Sequence, residues 1–294
     1  MTSFPPTIVG AFAALTLALV ALWAPRVCIS PRAALFWTLP CAVAAAVALG
    51  GGLIDLRALF ALLCFAAFCA AAQRGVGRAM AIATHAIMFA GCAGLFLHRV
   101  PGVDNPRLVA DVVLGPGSLP YTKYLNLDKG LAGLFLLGLY ASDQPAADQG
   151  VRHAAGFLWR FAIVAAVVMG LSLAVGDVRW DPKLPSWWPL WTWSMVFLTA
   201  LPEEALFRGV LQPLIAKRLG GTDRAATAAI VIAGMLFGVA HLAGGPVSVA
   251  LAAAAGIGYG WIYASTRSIG AAVAAHTGLN AIHFVFFSYP GLVK

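Results

Sequence analysis

Apolar stretches long enough to cross a lipid bilayer recur along this chain, separated only by short polar or Pro/Gly-rich breaks. A hydrocarbon core about 30 Å thick needs roughly 20 helical residues per crossing, so most of the chain is committed to lipid. Composition agrees with this. Of 294 residues, 61% are hydrophobic and 10% charged, against about 25% charged in soluble domains. The expectation is an all-α fold, a polytopic transmembrane helical bundle of about ten spans. The formal charge of +8 comes from Lys and Arg scattered over connecting segments, as membrane orientation requires. It does not form the basic stripe of a nucleic-acid-binding surface.

Hydropathy places the spans near 7–24, 34–54, 58–73, 79–97, 131–141, 157–176, 188–219, 225–243, 247–266 and 269–289. The seventh is interrupted at Pro202, and the third and fifth are short enough to be tilted, re-entrant or merged with neighbours. The first is not a clean secretory signal, because no basic residue precedes Thr7 and further spans follow at once. Residues 99–130 carry Pro101, Pro106, Pro116 and Pro120 and are expected to form an ordered flap or an interfacial helix beside the membrane. Between Asp177 and Pro189, Trp180, Trp187 and Trp188 read as an interfacial belt. Short loops holding Arg26 and Arg32, Arg74 and Arg78, Lys217, Arg218 and Arg224, and Arg267 fall on one side, with little beyond Arg57 opposite. That side is expected to be cytoplasmic, with the N-terminus outside. Cys28, Cys41, Cys64, Cys69 and Cys92 lack zinc-site spacing and read as reduced, small apolar residues. The organisation is one membrane domain, divided for convenience near Pro185 into an N-terminal part, 1–184, of unassigned role and a C-terminal part, 185–294.

Charge within a span is costly, about 2.5 to 3.5 kcal/mol at a helix centre on insertion scales. Of eleven acidic residues only two are glutamates, and these are adjacent: Glu203 and Glu204, in the seventh span, with Arg208 close behind. Such a cluster must be offset by pairing, water access or function. At 3.6 residues per turn Glu204 shares a face with Arg208, while Glu203 is turned about 100° away and is the better candidate to face a reaction cavity. Pro202 frees backbone groups in the preceding turn and could start a new helical segment with both glutamates in its first turn, where the dipole favours carboxylates. A self-neutralised Glu-Arg cluster without chemistry fits these three residues as well.

Two histidines shift the balance. His241 ends the eighth span in Phe237-Gly238-Val239-Ala240-His241, and His276 lies in the tenth with Asn280 one turn along the same face. Alone, either reads as a packed, hydrogen-bonded histidine. Together with the glutamates they form the inventory of a hydrolytic site. Glu203 and His241 would hold and deprotonate a water, His276 and Asn280 would stabilise a tetrahedral oxyanion, and Glu204 and Arg208 would brace the glutamate. His-Glu-x-x-His, Gly-x-Ser-x-Gly and P-loop motifs are absent. A metal held by Glu203, Glu204, His241 and His276 is conceivable, since carboxylate and imidazole suit zinc or iron, but direct glutamate catalysis without a cofactor is preferred. Gly234 with Gly238, and Gly256 with Gly260, have small-x-x-x-small spacing. They are expected to let the span ending at His241 approach the tenth. His283, His85 and Arg160 read as packing or snorkelling residues.

The order Glu-Glu-x-x-x-Arg, Phe-x-x-x-His, His-x-x-x-Asn, met at full spacing over 188–289, resembles the CAAX protease and bacteriocin-processing (CPBP, or Abi) family, which includes the Ras-converting CAAX endopeptidases. The resemblance implies a glutamic-type intramembrane endopeptidase whose core is 185–294, in the last four spans. Glu203 and His241 would correspond to the water-activating pair, His276 and Asn280 to the oxyanion pair, and Arg208 to the arginine of the first motif. The implied substrate is a membrane-anchored protein or peptide. The Ala- and Gly-rich composition suits a multi-pass protein of a bacterial inner membrane, acting there in maturation or immunity. Two rivals remain. A proton-coupled transporter would use the same cluster but should show paired broken helices, and only the break at Pro202 is evident. A silent immunity or scaffold protein would keep the fold without the chemistry.

Overall fold

The structure is a computed structural model that describes residues 4–23, 31–74, 77–141 and 151–293; Cys28 and Arg26 lie outside them. Each of the ten apolar stretches is helical. In chain order come α1 (Pro6–Trp23), α2 (Pro31–Gly50), α3 (Leu56–Arg74), α4 (Arg78–Phe96), strands β1 (Arg107–Val112) and β2 (Tyr121–Tyr124), α5 (Leu127–Phe135), and α6 (Val151–Ala174). The seventh stretch is α7 (Trp188–Met195), α8 (Leu201–Glu204) and α9 (Gln212–Arg218), followed by α10 (Asp223–Val239), α11 (Gly245–Thr266) and α12 (Ile269–Phe286). Among the described residues, Leu56–Arg74, Arg78–Phe96, Gly156–Ala174, Leu242–Thr266 and Ile269–Phe286 are long and apolar enough to cross a membrane, and Pro6–Leu22 and Leu35–Gly50 are shorter apolar helices. Phe36, Leu39, Phe60 and Leu63 are exposed on these helices, a distribution that suits lipid and not water. The chain is an all-α, integral membrane protein.

Contacts divide the chain into two compact units. One holds residues 1–108, 124–144 and 197–205, the other 109–123, 145–196 and 206–294. In the first unit α1 pairs with α2 and α3 with α4, and α5 packs on α1, α3, α4 and α8. From Leu127 to Leu134 nearly every residue of α5 is buried. Its glycines make this possible, since a Cβ at Gly130 would lie 2.7 Å from Leu15 and 2.9 Å from Leu198, and one at Gly133 would lie 2.8 Å from the Cα of Pro202.

In the second unit the most extensive pairing joins α10 and α11. A Cβ at Gly234 would meet the Ile257 nitrogen at 2.7 Å, one at Gly238 the Val249 carbonyl at 2.6 Å, and one at Gly256 the Gly234 carbonyl at 3.0 Å. This corrects the expected partner. The glycine seam of α10 docks on α11 and not on α12, which reaches Phe237 through the ring of His276, 5.6 Å away. Gly260 faces Gln212 of α9. Side-chain caps fix two helix starts, Thr222 accepting from the Ala225 N–H and Ser268 from that of Ala271.

Residues 99–130 hold a β1-β2 hairpin in place of an interfacial helix. Tyr121 and Lys123 alternate inward along β2, and the prolines stand outside the strands, where no ladder donor is lost. The Asp111 N–H donates to Thr122 Oγ1 at 2.9 Å, and Leu119 N–H reaches the Gly291 carbonyl at 2.9 Å. Trp180 is exposed and stacks on Phe286, 5.5 Å between centroids.

Winding within the seventh stretch is uneven. Val196–Ala200 and Ala205–Leu211 are π-helical, and each turn precedes a proline, Pro202 or Pro213. The carbonyl four residues before a proline loses its α-helical donor. A π turn lets the next N–H along serve it, and such turns concentrate at functional positions.

Candidate active site

The two halves of the sequence-derived site fall in different units. In the first, Glu203 and Glu204 occupy α8, 8% and 0% exposed. Pro202 presses on Gly133 of α5, and one helical turn earlier on the same face Lys129 donates from Nζ to Glu203 Oε1 at 3.0 Å. Both side chains are largely enclosed, with 14% and 10% of their surface exposed, so solvent screens the pair little. The Lys129 ammonium also lies 5.3 Å from the ring centroid of Phe96.

Lys129 sits on a braced turn. Asp128, 1% exposed, lies 2.7 Å from His98 Nδ1 and accepts from Asn105 Nδ2 at 3.0 Å and from the Lys129 N–H at 2.8 Å. Asn105 Oδ1 in turn accepts the Leu127 N–H at 2.8 Å. These bonds satisfy donors that an α-helix leaves open at its first turn. Hydropathy starts the fifth span at 131 and leaves Lys129 in the preceding loop, whereas α5 begins at Leu127. A buried carboxylate in need of a counter-charge was the signal that could have found it.

In the second unit, Phe237 and Tyr259 form a wall shared by three candidate residues. Arg208 is fully buried. Its guanidinium lies 5.2 Å from Phe237, 5.6 Å from Tyr259 and 5.7 Å from Phe207, and it donates to the Gly256 carbonyl at 2.6 Å. The Gly234–Gly256 contact brings that carbonyl inward. His276, 4% exposed, stacks on Tyr259 with centroids 4.9 Å apart and planes 13° from parallel.

His241 follows α10, its ring 4.8 Å from that of Phe237. Its Nδ1 lies 2.8 Å from the Phe237 carbonyl, which can only accept. The neutral ring therefore carries its proton on Nδ1 and presents Nε2 as an acceptor. Asn280 Nδ2 donates to the His276 carbonyl at 3.1 Å, which fixes the carboxamide and leaves it a second N–H. The structure thus gathers Arg208, His241 and His276 about one aromatic wall, carries Asn280 on the helix of His276, and seats Glu203 and Glu204 beside α5.

Residues 185–282 match the family model described as "Rce1-like: Type II CAAX prenyl endopeptidase Rce1-like". The similarity covers a third of the chain. It encloses all six candidate residues, and the family is one of CAAX-type membrane proteases. No curated protein and no solved structure matches the chain significantly. The Rce1-like segment ends just before His283, whose Nε2 lies 3.2 Å from the Ser288 carbonyl and whose ring packs on Tyr289 at 4.8 Å. His85 joins α4 to Tyr140 through a 2.9 Å hydrogen bond, and Arg160 lies over Trp159 and Trp261. No set of three or more His, Cys, Asp or Glu side chains converges on a metal position among the described residues.

Proposed function

We propose that this protein is a glutamic-type intramembrane endopeptidase that hydrolyses a peptide bond of a membrane-associated protein or peptide. The Rce1-like match over 185–282, which encloses Glu203, Glu204, Arg208, His241, His276 and Asn280, carries this reading. Glu203 acts as the base that takes a proton from water, and His241 holds the same water through Nε2. The water oxygen attacks the scissile carbonyl carbon, and the resulting oxyanion is stabilised by His276 and the free N–H of Asn280. Collapse breaks the C–N bond as the proton on Glu203 passes to the leaving amine. Arg208 and Glu204 hold the surrounding helices. Residues 185–294 form the protease core, and 1–184 the N-terminal membrane helices and long polar loop. The arginine-rich loops lie in the cytoplasm of a bacterial cell, and the substrate is a protein matured or inactivated at the inner membrane.

The test compares chain ends across the membrane proteome of cells expressing wild type or Glu203→Gln at equal levels. Wild type is expected to yield a defined set of new termini that the variant lacks. Identical termini in both at equal coverage would contradict the proposal.

A further inference from the structure

Resting on the protease reading above, we infer that Lys129, which lies outside the Rce1-like segment, is a positioning residue for Glu203 and that α5 exists in part to deliver it. Three observations meet at this residue. Its ammonium is 3.0 Å from Glu203 Oε1 with both partners largely enclosed. The helix carrying it is pressed against Pro202 at Gly133, where no side chain could stand. The turn it occupies is clamped through Asp128 by His98, Asn105 and the backbone.

A lysine needed only to neutralise charge could reach Glu203 from a flexible loop, since its four-carbon stem adapts readily. Here the backbone beneath it is fixed from two sides, by hydrogen bonds before it and by a glycine contact after it. A charge-assisted hydrogen bond to one carboxylate oxygen fixes the rotation of the carboxyl group and so the direction of the other oxygen. Lys129 therefore acts through Glu203. It sets the angle at which Glu203 presents itself to the water, and misplacement at this level costs rate without costing substrate binding.

Two measurements on the full-length protein in nanodiscs test this. The first is a thermal-stability cycle of wild type, Lys129→Met, Glu203→Gln and the double variant. Coupling between the two sites is expected, with the double variant losing less than the sum of the singles. The second is cleavage of a synthetic peptide spanning a bond cut in wild-type membranes. Lys129→Met is expected to lower kcat about 10- to 100-fold with KM unchanged, and Lys129→Arg to restore a measurable part of it. Additive stability effects would overturn the ion pair itself. Coupling with an unchanged kcat, or a rise in KM alone, would overturn the positioning role while leaving the pair and the protease intact. Coupling in a wild-type protein that cuts nothing would overturn it through the protease reading.

Discussion

Arg208 shows what a buried cation needs where no water can reach it. Its guanidinium plane is met by the rings of Phe207, Phe237 and Tyr259, and one edge donates to the Gly256 carbonyl. Lysine cannot reproduce this, because an ammonium is a strongly hydrated point charge that neither stacks nor forks. Arg208→Lys is expected to cost about 2 to 4 kcal/mol of stability, read as a lower melting temperature and folded yield in detergent. An unchanged melt would mean that the ring cage holds nothing together. The same wall sets His241 and His276. Phe237 contributes its carbonyl to His241 Nδ1 and its ring to His276, so one residue serves two histidines.

At the scale of elements, small residues decide which helices meet. Gly238→Val should drive a methyl into the Val249 carbonyl and the Ala253 side chain, separate α10 from α11 and move His241. A loss of about 3 kcal/mol or more is expected, seen as aggregation on size-exclusion chromatography. Gly170→Ala in α6 is the control, since nothing lies within 4 Å of the added carbon; it should stay within about 1 kcal/mol of wild type. Collapse of both variants alike would show that the seam contact is not what the substitution at Gly238 disrupts. The helices themselves were legible because apolar run length is a one-dimensional signal, and the three motifs because their residues lie close in sequence. The seam partner was not legible, since small-x-x-x-small spacing states that a face is flat and not what it faces. Nor was the hairpin over 99–130, whose alternation at Tyr121 and Lys123 spans only four residues. Lys129 escaped for a related reason, as its meaning depends on Glu203, 74 positions away.

For the whole molecule, we propose that the distribution of Lys and Arg over short loops sets the orientation, with those loops in the cytoplasm. With the native cysteines replaced, Leu219→Cys should be modified by an impermeant thiol reagent only from the cytoplasmic side, and Leu56→Cys only from the opposite side. Both positions are exposed at helix ends. Labelling of both from one side would break the proposed topology. The central claim is that Glu203 supplies the base for hydrolysis in this membrane protein. It is tested most directly by single-turnover cleavage with purified wild type and Glu203→Gln in nanodiscs, acting on a peptide that spans a bond cut in wild-type membranes. The account predicts a fall in rate of about 10⁴-fold or more for the variant with peptide affinity retained. Cleavage by Glu203→Gln at the wild-type rate would contradict it.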